Sequence, residues 1–150
     1  TINVDTLLIT LYETYEPVCM KQNLELKLHL SEESYPAMLT DKDRLFQILC
    51  VFMDNAIQHS KNNSLIEIEV IATEKKIAFS VADHGQGISD EDKHYIFDRF
   101  YSGDKSHANK SNFGLGLSIA KELTQMLNGT IAINDTAGGG ATFTVTFPLK

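Results

Sequence analysis

The sequence predicts a two-layer α/β sandwich, in which a mixed, mostly antiparallel sheet carries three helices on one face. Three observations lead there. Three segments repeat apolar residues at spacings of three and four, the strand-like runs between them are joined mostly by hairpin connections, and no repeat or long heptad run competes. With 150 residues the chain suffices for one domain with a real core and hardly for two, so residues 1–150 read as a single unit.

The first amphipathic helix runs from Val4 to Met20 and puts Leu7, Leu8, Leu11, Tyr15, Val18 and Cys19 on one stripe. LELKLHL, Leu24 to Leu30, then alternates with period two, and Ala37 to Leu39 after Pro36 is a short extended piece expected to pair with it. Thr40 or Asp41 caps a second helix, with Leu45, Ile48, Leu49, Phe52 and Ala56 facing inward and a stop near Ser60. Leu65 to Ala72 and Ile77 to Ala82 make an antiparallel hairpin, which leaves Asp83 at a strand end. SGDKSHANKSN, Ser102 to Asn112, is almost wholly polar and predicts a mobile lid over about residues 101–112. A third helix, Leu115 to Leu127, turns Ile119, Leu123, Met126 and Leu127 inward and stops at Asn128-Gly129. Thr130 to Asn134 and Ala141 to Phe147, hinged at Gly138 to Gly140, close the domain as a hairpin.

Composition narrows the function. The hydrophobic share of 43% and charged share of 22% are those of an ordinary globular protein. No apolar run is long enough to span a bilayer, and the start TINVDTLLITLY lacks a basic leader, so no signal peptide is expected. A net charge of -7 argues against a nucleic-acid surface. With only Arg44 and Arg99 as arginines, a bound polyphosphate would depend on a metal ion, on helix-start amides and on a few lysines such as Lys105 and Lys110. Cys19 and Cys50 sit among apolar neighbours in helical patterns, as small buried thiols rather than a disulfide or a zinc site.

Three motifs suggest a pocket for a magnesium nucleotide. In DNAIQHS, Asp54 to Ser60, Asn55 shares a helix face with Val51, Gln58 and His59 beside the apolar stripe, where an amide oxygen can serve a hard cation. Taken alone, a locally hydrogen-bonded Asn55 is the plainer reading. In DHGQGI, Asp83 to Ile88, a carboxylate followed by Gly85 and Gly87 could accept from a purine amino group, and an Asp-initiated turn explains the same residues equally well. In FGLGLSI, Phe113 to Ile119, Gly114 and Gly116 weaken a helix's first turn with no structural return unless something approaches the backbone.

In this order, with IFDRFYSGDKS between the last two, the motifs resemble the ATP-binding catalytic domain of bacterial sensor histidine kinases over nearly the whole chain. DRLFQILCVFMDNAIQHS corresponds to that family's N box, VADHGQGIS to its first glycine box, IFDRFY to its F box, FGLGLSIAKEL to its second, and GGGATFTVTFPL to its closing strands. The resemblance implies a Bergerat-type fold with ATP and Mg2+ as ligands. By it, Asn55 binds the metal, Asp83 the adenine amino group, and the amides of Gly114, Leu115, Gly116 and Leu117 the phosphates. His59 and Ile88 wall the adenine, while Gln58, Gly85, Gly87 and Thr142 complete the site. Tyr101 or Lys105 closes from the lid, whereas Phe97 is expected to pin the lid base into the core. His29, His84, His94 and His107 are expected at the surface or in loops, with no partner that spacing can supply.

The resemblance also implies the reaction, transfer of the ATP γ-phosphoryl group to a His on a separate dimerisation domain and from there to an Asp of a response regulator. No histidine here lies in the family's phosphoacceptor context, so that domain is expected outside these residues and the chain is not expected to label itself. These residues would face the cytoplasm of a membrane-anchored parent, without contacting nucleic acid or membrane themselves. Val51 stands where related kinases have Asn and related gyrase-type ATPases have a water-activating Glu, and Gln58, Ser102 and Asn112 also depart from the pattern, so weakened nucleotide affinity is expected. A regulatory ATP-binding module without transfer activity is the alternative of a different class. An anti-sigma-type serine kinase is the nearest enzyme alternative, against which the F box speaks.

Overall fold

Side-chain oxygens start the helices. Asn3, Asp41 and Ser89 each accept a backbone N–H three residues on, at 3.0, 3.2 and 3.1 Å. In the computed structural model, which describes residues 1–98 and 114–149, these caps open α1 (Val4–Lys21), α2 (Lys42–His59) and the one-turn α3 (Asp90–Lys93). The strands are β1 (Glu25–His29), β2 (Leu65–Ala72), β3 (Lys76–Ala82), β4 (Thr130–Asp135) and β5 (Ala141–Pro148), and helix α4 (Gly114–Met126) precedes β4.

The strands form one sheet in the order β1-β2-β3-β5-β4, parallel between β1 and β2 and antiparallel elsewhere. A parallel pair needs a crossover, and α2 supplies it. One face is apolar. Ile66, Ile68, Val70, Ile77, Phe79, Val81, Phe143, Val145 and Phe147 are all buried beneath α1, α2 and α4, while Glu69, Ser80, Thr144 and Thr146 alternate onto the other face. Phe52 of α2 stacks on Phe143 with ring centroids 5.5 Å apart, and Phe97 meets the same ring edge-on at 6.1 Å. Burying each such side chain contributes roughly 1.5–3 kcal/mol. The two-layer sandwich with three long helices on one face is therefore as the sequence predicts, and Phe97 is pinned into the core.

Three local expectations fail for identifiable reasons, and one short element was not expected. Ala37 to Leu39 does not pair with the first strand. Met38 instead forms an isolated antiparallel bridge to Ile2 just ahead of α1, which draws this piece to the start of α1 with the Met38 side chain buried in the core. Val18 has the right angular position on α1 but is 38% exposed, since it overhangs a cleft of about 500 Å³ between the ends of α1 and α2. Helix α4 turns Leu117, Ala120 and Thr124 inward and leaves Met126 56% exposed, with Ile119, Leu123 and Leu127 half-buried. That face packs toward α2 and β4, which leaves the larger side chains at its margin only partly covered. The turn of α3 has no apolar periodicity and was not expected; Lys93 fastens it to Asp90 and Asp135 at 3.0 and 2.7 Å.

Helix α4 ends in a Schellman arrangement, with Gly129 N–H on the Thr124 carbonyl at 2.9 Å and Asn128 N–H on Gln125 at 3.0 Å. It is Asn128, not Gly129, that takes the left-handed conformation, with φ of 64°. Asn128→Val is expected to cost about 1–2 kcal/mol and Asn128→Gly close to nothing, measured by urea unfolding.

Candidate functional site

Asp83 extends the sheet by one residue beyond β3. Its N–H donates to the Ala141 carbonyl at 2.9 Å, and its Oδ1 accepts from the N–H groups of Gly85 and Ala141 at 3.0 and 3.1 Å. Both side-chain bonds fall on one oxygen, and Oδ2 takes no hydrogen bond among the described residues. The Asp-initiated turn and an acceptor for a ligand thus coexist on one carboxylate that is only 2% exposed. Holding the loop with Oδ1 fixes the direction of Oδ2.

Two glycines make this possible. A Cβ on Gly85 would collide with the His59 carbonyl at the end of α2, and one on Gly140 would collide with the Asp83 carbonyl. Gly140 also has φ of 116°, so it combines close approach with a backbone that L side chains rarely adopt. The Asp83 loop is therefore clamped between α2 and the β4–β5 hairpin. Gly140 and the Ala141 N–H were not among the site residues expected from sequence. The triple glycine was a signal for the first, and a backbone donor leaves none.

Helix α2 presents the second component. Val51, Asn55 and His59 recur every four residues on one face. At one end Val51 Cγ1 lies 3.6 Å from where a Cβ on Gly116 would be, bringing α2 against the first turn of α4. At the other end the His59 carbonyl meets Gly85. Between these contacts Asn55 is 5% exposed, and its Oδ1 is buried with no hydrogen-bond partner among the described residues. Leaving a buried acceptor unsatisfied costs about 1–3 kcal/mol, which makes Asn55 a poor structural residue and a good ligand. A lone amide oxygen suits magnesium, which keeps most of its coordination for water and phosphate oxygens.

Burial lowers the pKa of His59 from its ordinary 6.5, with the Asp83 carboxylate partly opposing it. The imidazole is therefore neutral at physiological pH. Ile88 is half-buried against the core, and Gly87 holds φ of 77° beside Gly140. Leu117 is 1% exposed, so its side chain belongs to the core and only its backbone could serve a ligand.

Other expected residues stand apart. Gln58 lines the α1–α2 cleft with Val18, Gln22 and Asp54, seven residues beyond Val51 and so close to the same stripe of α2. Thr142 pairs with Ala82 across the sheet, so its side chain alternates away from the face of Val81 and Asp83; it exchanges a 2.8 Å hydrogen bond with Thr136. Tyr101, Lys105, the lid and the side chain of Leu115 lie outside the described residues. A roomier cavity of about 680 Å³ opens between the starts of α1 and α2, lined by Thr6, Thr10 and Phe46 among others, with no orphaned polar atom in it.

Two histidines have partners that spacing did not reveal. His29 and His84 place Nε2 2.9 Å from opposite oxygens of Glu67, on the sheet's outer side. The hydrogen bond from His84, then that from His29, holds the Glu67 carboxyl below its usual range despite some desolvation. Since His84 follows Asp83 directly, this pair also ties the Asp83 loop to β2. Cys19 and Cys50 are free thiols whose pKa values burial raises, in line with the sequence reading.

The chain is similar to known proteins along its length. Residues 40–150 match the family model of histidine kinase-, DNA gyrase B- and HSP90-like ATPases. The sensor protein CiaH of Streptococcus pneumoniae is 33% identical over 94% of this chain, which spans about a third (32%) of that relative's length. Among solved structures, the catalytic domain of the histidine kinase ThkA superposes with a TM-score of 0.84 at 26% identity, covering 98% of this chain and 94% of that one. ThkA in complex with its response regulator TrrA gives 0.82 at 25% identity, covering 99% and 41%. Full-length ShkA in complex with AMPPNP gives 0.84 at 27% identity, covering 97% and 30%. Among the described residues no helix is long and apolar enough to cross a membrane.

Two measurements check the geometry. Above pH 6.5 the His59 ring is neutral folded or unfolded; below it the unfolded chain takes up a proton that the folded chain refuses until its own lower pKa is reached. Stability is therefore expected to fall as pH drops below about 6.5, and His59→Gln to flatten that slope in urea titrations between about pH 7 and pH 5.5. The Glu67 contribution persists above its ordinary 4.5 and is lost only below it, outside this window. Gly140→Ala is expected to cost about 2 kcal/mol more than Gly138→Ala, because Gly138 has positive φ but nothing within 4 Å of an added Cβ.

Proposed function

As the chain belongs to the family of histidine kinase-, DNA gyrase B- and HSP90-like ATPases, we propose that it binds Mg-ATP in the cleft bounded by α2, the Asp83 loop and α4. It then presents the γ-phosphoryl group to a His on a separate dimerisation domain of its parent kinase. The likeness to CiaH and to the ThkA catalytic domain makes it a catalytic ATP-binding domain of the sensor histidine kinase type. The observation that carries the rest is the buried, unpartnered Asn55 Oδ1 held between the Gly85 and Gly116 contacts.

In this reading Asp83 Oδ2 accepts from the adenine amino group while neutral His59 and Ile88 flank the ring. The amides of the first turn of α4, from Gly114 to Leu117, face the phosphates, where the helix dipole adds partial positive charge. Asn55 would hold magnesium, which supplies charge neutralisation along the phosphate chain. Lys105 or Tyr101 closes over the nucleotide from the lid. The acceptor imidazole nitrogen attacks the γ-phosphorus in line, a N–P bond forms, the P–O bond to ADP breaks, and the imidazole proton leaves to solvent. The chain's own part is positioning and charge stabilisation. Val51 offers no group to activate water, which favours transfer over hydrolysis. Gln58 completes the contact set from α2, and Thr142, whose side chain alternates onto the other face of the sheet, is left out of it.

The phosphate then passes to a response regulator, and the parent is anchored in a membrane with this domain on the cytoplasmic side. The domain itself contacts neither membrane nor nucleic acid. Val51, in place of a polar side chain, is the observation that favours the second reading, a regulatory ATP-binding module without transfer activity. The anti-sigma-type serine kinase has no such support.

Titration calorimetry should show Mg-ATP binding that Asp83→Asn and Asn55→Ala each weaken about tenfold or more with the fold retained. Labelled ATP should leave the isolated chain unlabelled and label the dimerisation domain of the same parent when supplied. Bound ATP without labelling of the intact parent would instead establish the regulatory reading.

A further inference from the structure

Tyr15, on α1, reaches across to the turn of α2 that carries Asn55. It is 8% exposed, and its hydroxyl donates to Asp54 Oδ1 at 2.8 Å and lies 3.2 Å from the Cys50 carbonyl. Cys50 and Asp54 immediately precede Val51 and Asn55, so one phenol touches both ends of the helical turn whose next face presents the unpartnered amide. Burial and the neighbouring carboxylate push the Tyr15 pKa far up, so the hydroxyl remains a donor at every physiological pH.

Apolar packing between α1 and α2 sets their separation but resists rotation about a helix axis only weakly. A directional bond to a carboxylate together with a bond to a main-chain carbonyl fixes both rotation and axial position. Magnesium requires near-ideal octahedral geometry, and a ligand displaced by half an ångström loses much of its value. On the α4 side of this same turn Val51 faces Gly116, with its Cγ1 3.6 Å from where a Cβ there would stand. The turn therefore borders the first turn of α4 on one flank and is tethered by Tyr15 on the other.

We propose that Tyr15 is a positioning residue for the metal-binding amide of Asn55, acting through Asp54 and the Cys50 carbonyl. The proposal rests on the Mg-ATP reading above. Asp54 is an exposed carboxylate, and losing its partner leaves it solvated; Tyr15→Phe keeps the ring in place and removes only the tether.

The test compares ATP affinity with magnesium and in EDTA for the wild-type chain, Tyr15→Phe, Asp54→Ala and Asp54→Asn, with unfolding midpoints recorded for each. Tyr15→Phe and Asp54→Ala are expected to shrink the magnesium-dependent gain in affinity about fivefold to tenfold while metal-free affinity stays within about twofold. Asp54→Asn, which retains an acceptor oxygen, is expected to restore most of that gain. An unchanged magnesium gain in both tether-breaking variants, or an equal fall with and without metal, overturns the positioning role. A wild-type chain that binds ATP with no magnesium gain overturns the metal assignment to Asn55 and this proposal with it, whereas no ATP binding at all overturns the functional reading itself.

Discussion

One helix face organises the molecule. Because Val51, Asn55 and His59 repeat every four residues, α2 can touch the α4 turn with the first, the Asp83 loop with the last, and leave the middle side chain between them. Only the contact at Gly85 depends on glycine, since a Cβ there would run into the His59 carbonyl, whereas one on Gly116 would make ordinary contact with Val51. The contact at Gly85 is the less forgiving, since it meets main chain rather than the tip of a flexible side chain. If α2 turned by one residue about its axis, both contacts and the buried amide would be lost together.

The arrangement has an energetic cost. A buried carboxylate at Asp83 and an unsatisfied amide oxygen at Asn55 each oppose folding, by about 1–3 kcal/mol for the amide. The offset is close at hand in the layer beneath: Phe52, Phe79, Phe143 and Phe147 are all nearly inaccessible, and each supplies roughly 1.5–3 kcal/mol of burial. Asp83 is further compensated by two main-chain donors on a single oxygen, which spends half of the carboxylate on structure and keeps the other half oriented. Asn55 has no such division. Its orphaned oxygen is therefore the most direct sign that the cleft serves a ligand.

Much of this was legible where the signal is local. The two hairpins, the Asp41 cap, the strand end at Asp83 and the inward Phe97 follow from period, cap chemistry and glycine placement within a few residues of each. What escaped depends on distant partners. Tyr15 and Asp54 are 39 residues apart, and His29 and Glu67 are 38 apart. The first pair exists because α1 packs on α2, and the second because β1 lies parallel beside β2, a topology the apparent strand at Ala37 to Leu39 obscured. The inward face of α4 was misread for a different reason: hydrophobic size favours Met126, whereas the buried face is that of Leu117, Ala120 and Thr124 and leaves Met126 outside it.

The central claim is that the Asn55 oxygen and the Asp83 carboxylate address the two ends of one nucleotide. A crystal structure of this chain with Mg2+ and a non-hydrolysable ATP analogue tests it most directly. The account expects the metal about 2.1 Å from Asn55 Oδ1, the adenine amino group within hydrogen-bond distance of Asp83 Oδ2, and the phosphates at the first turn of α4. A nucleotide seated elsewhere, or seated here with Asn55 Oδ1 turned away from the metal, would contradict it.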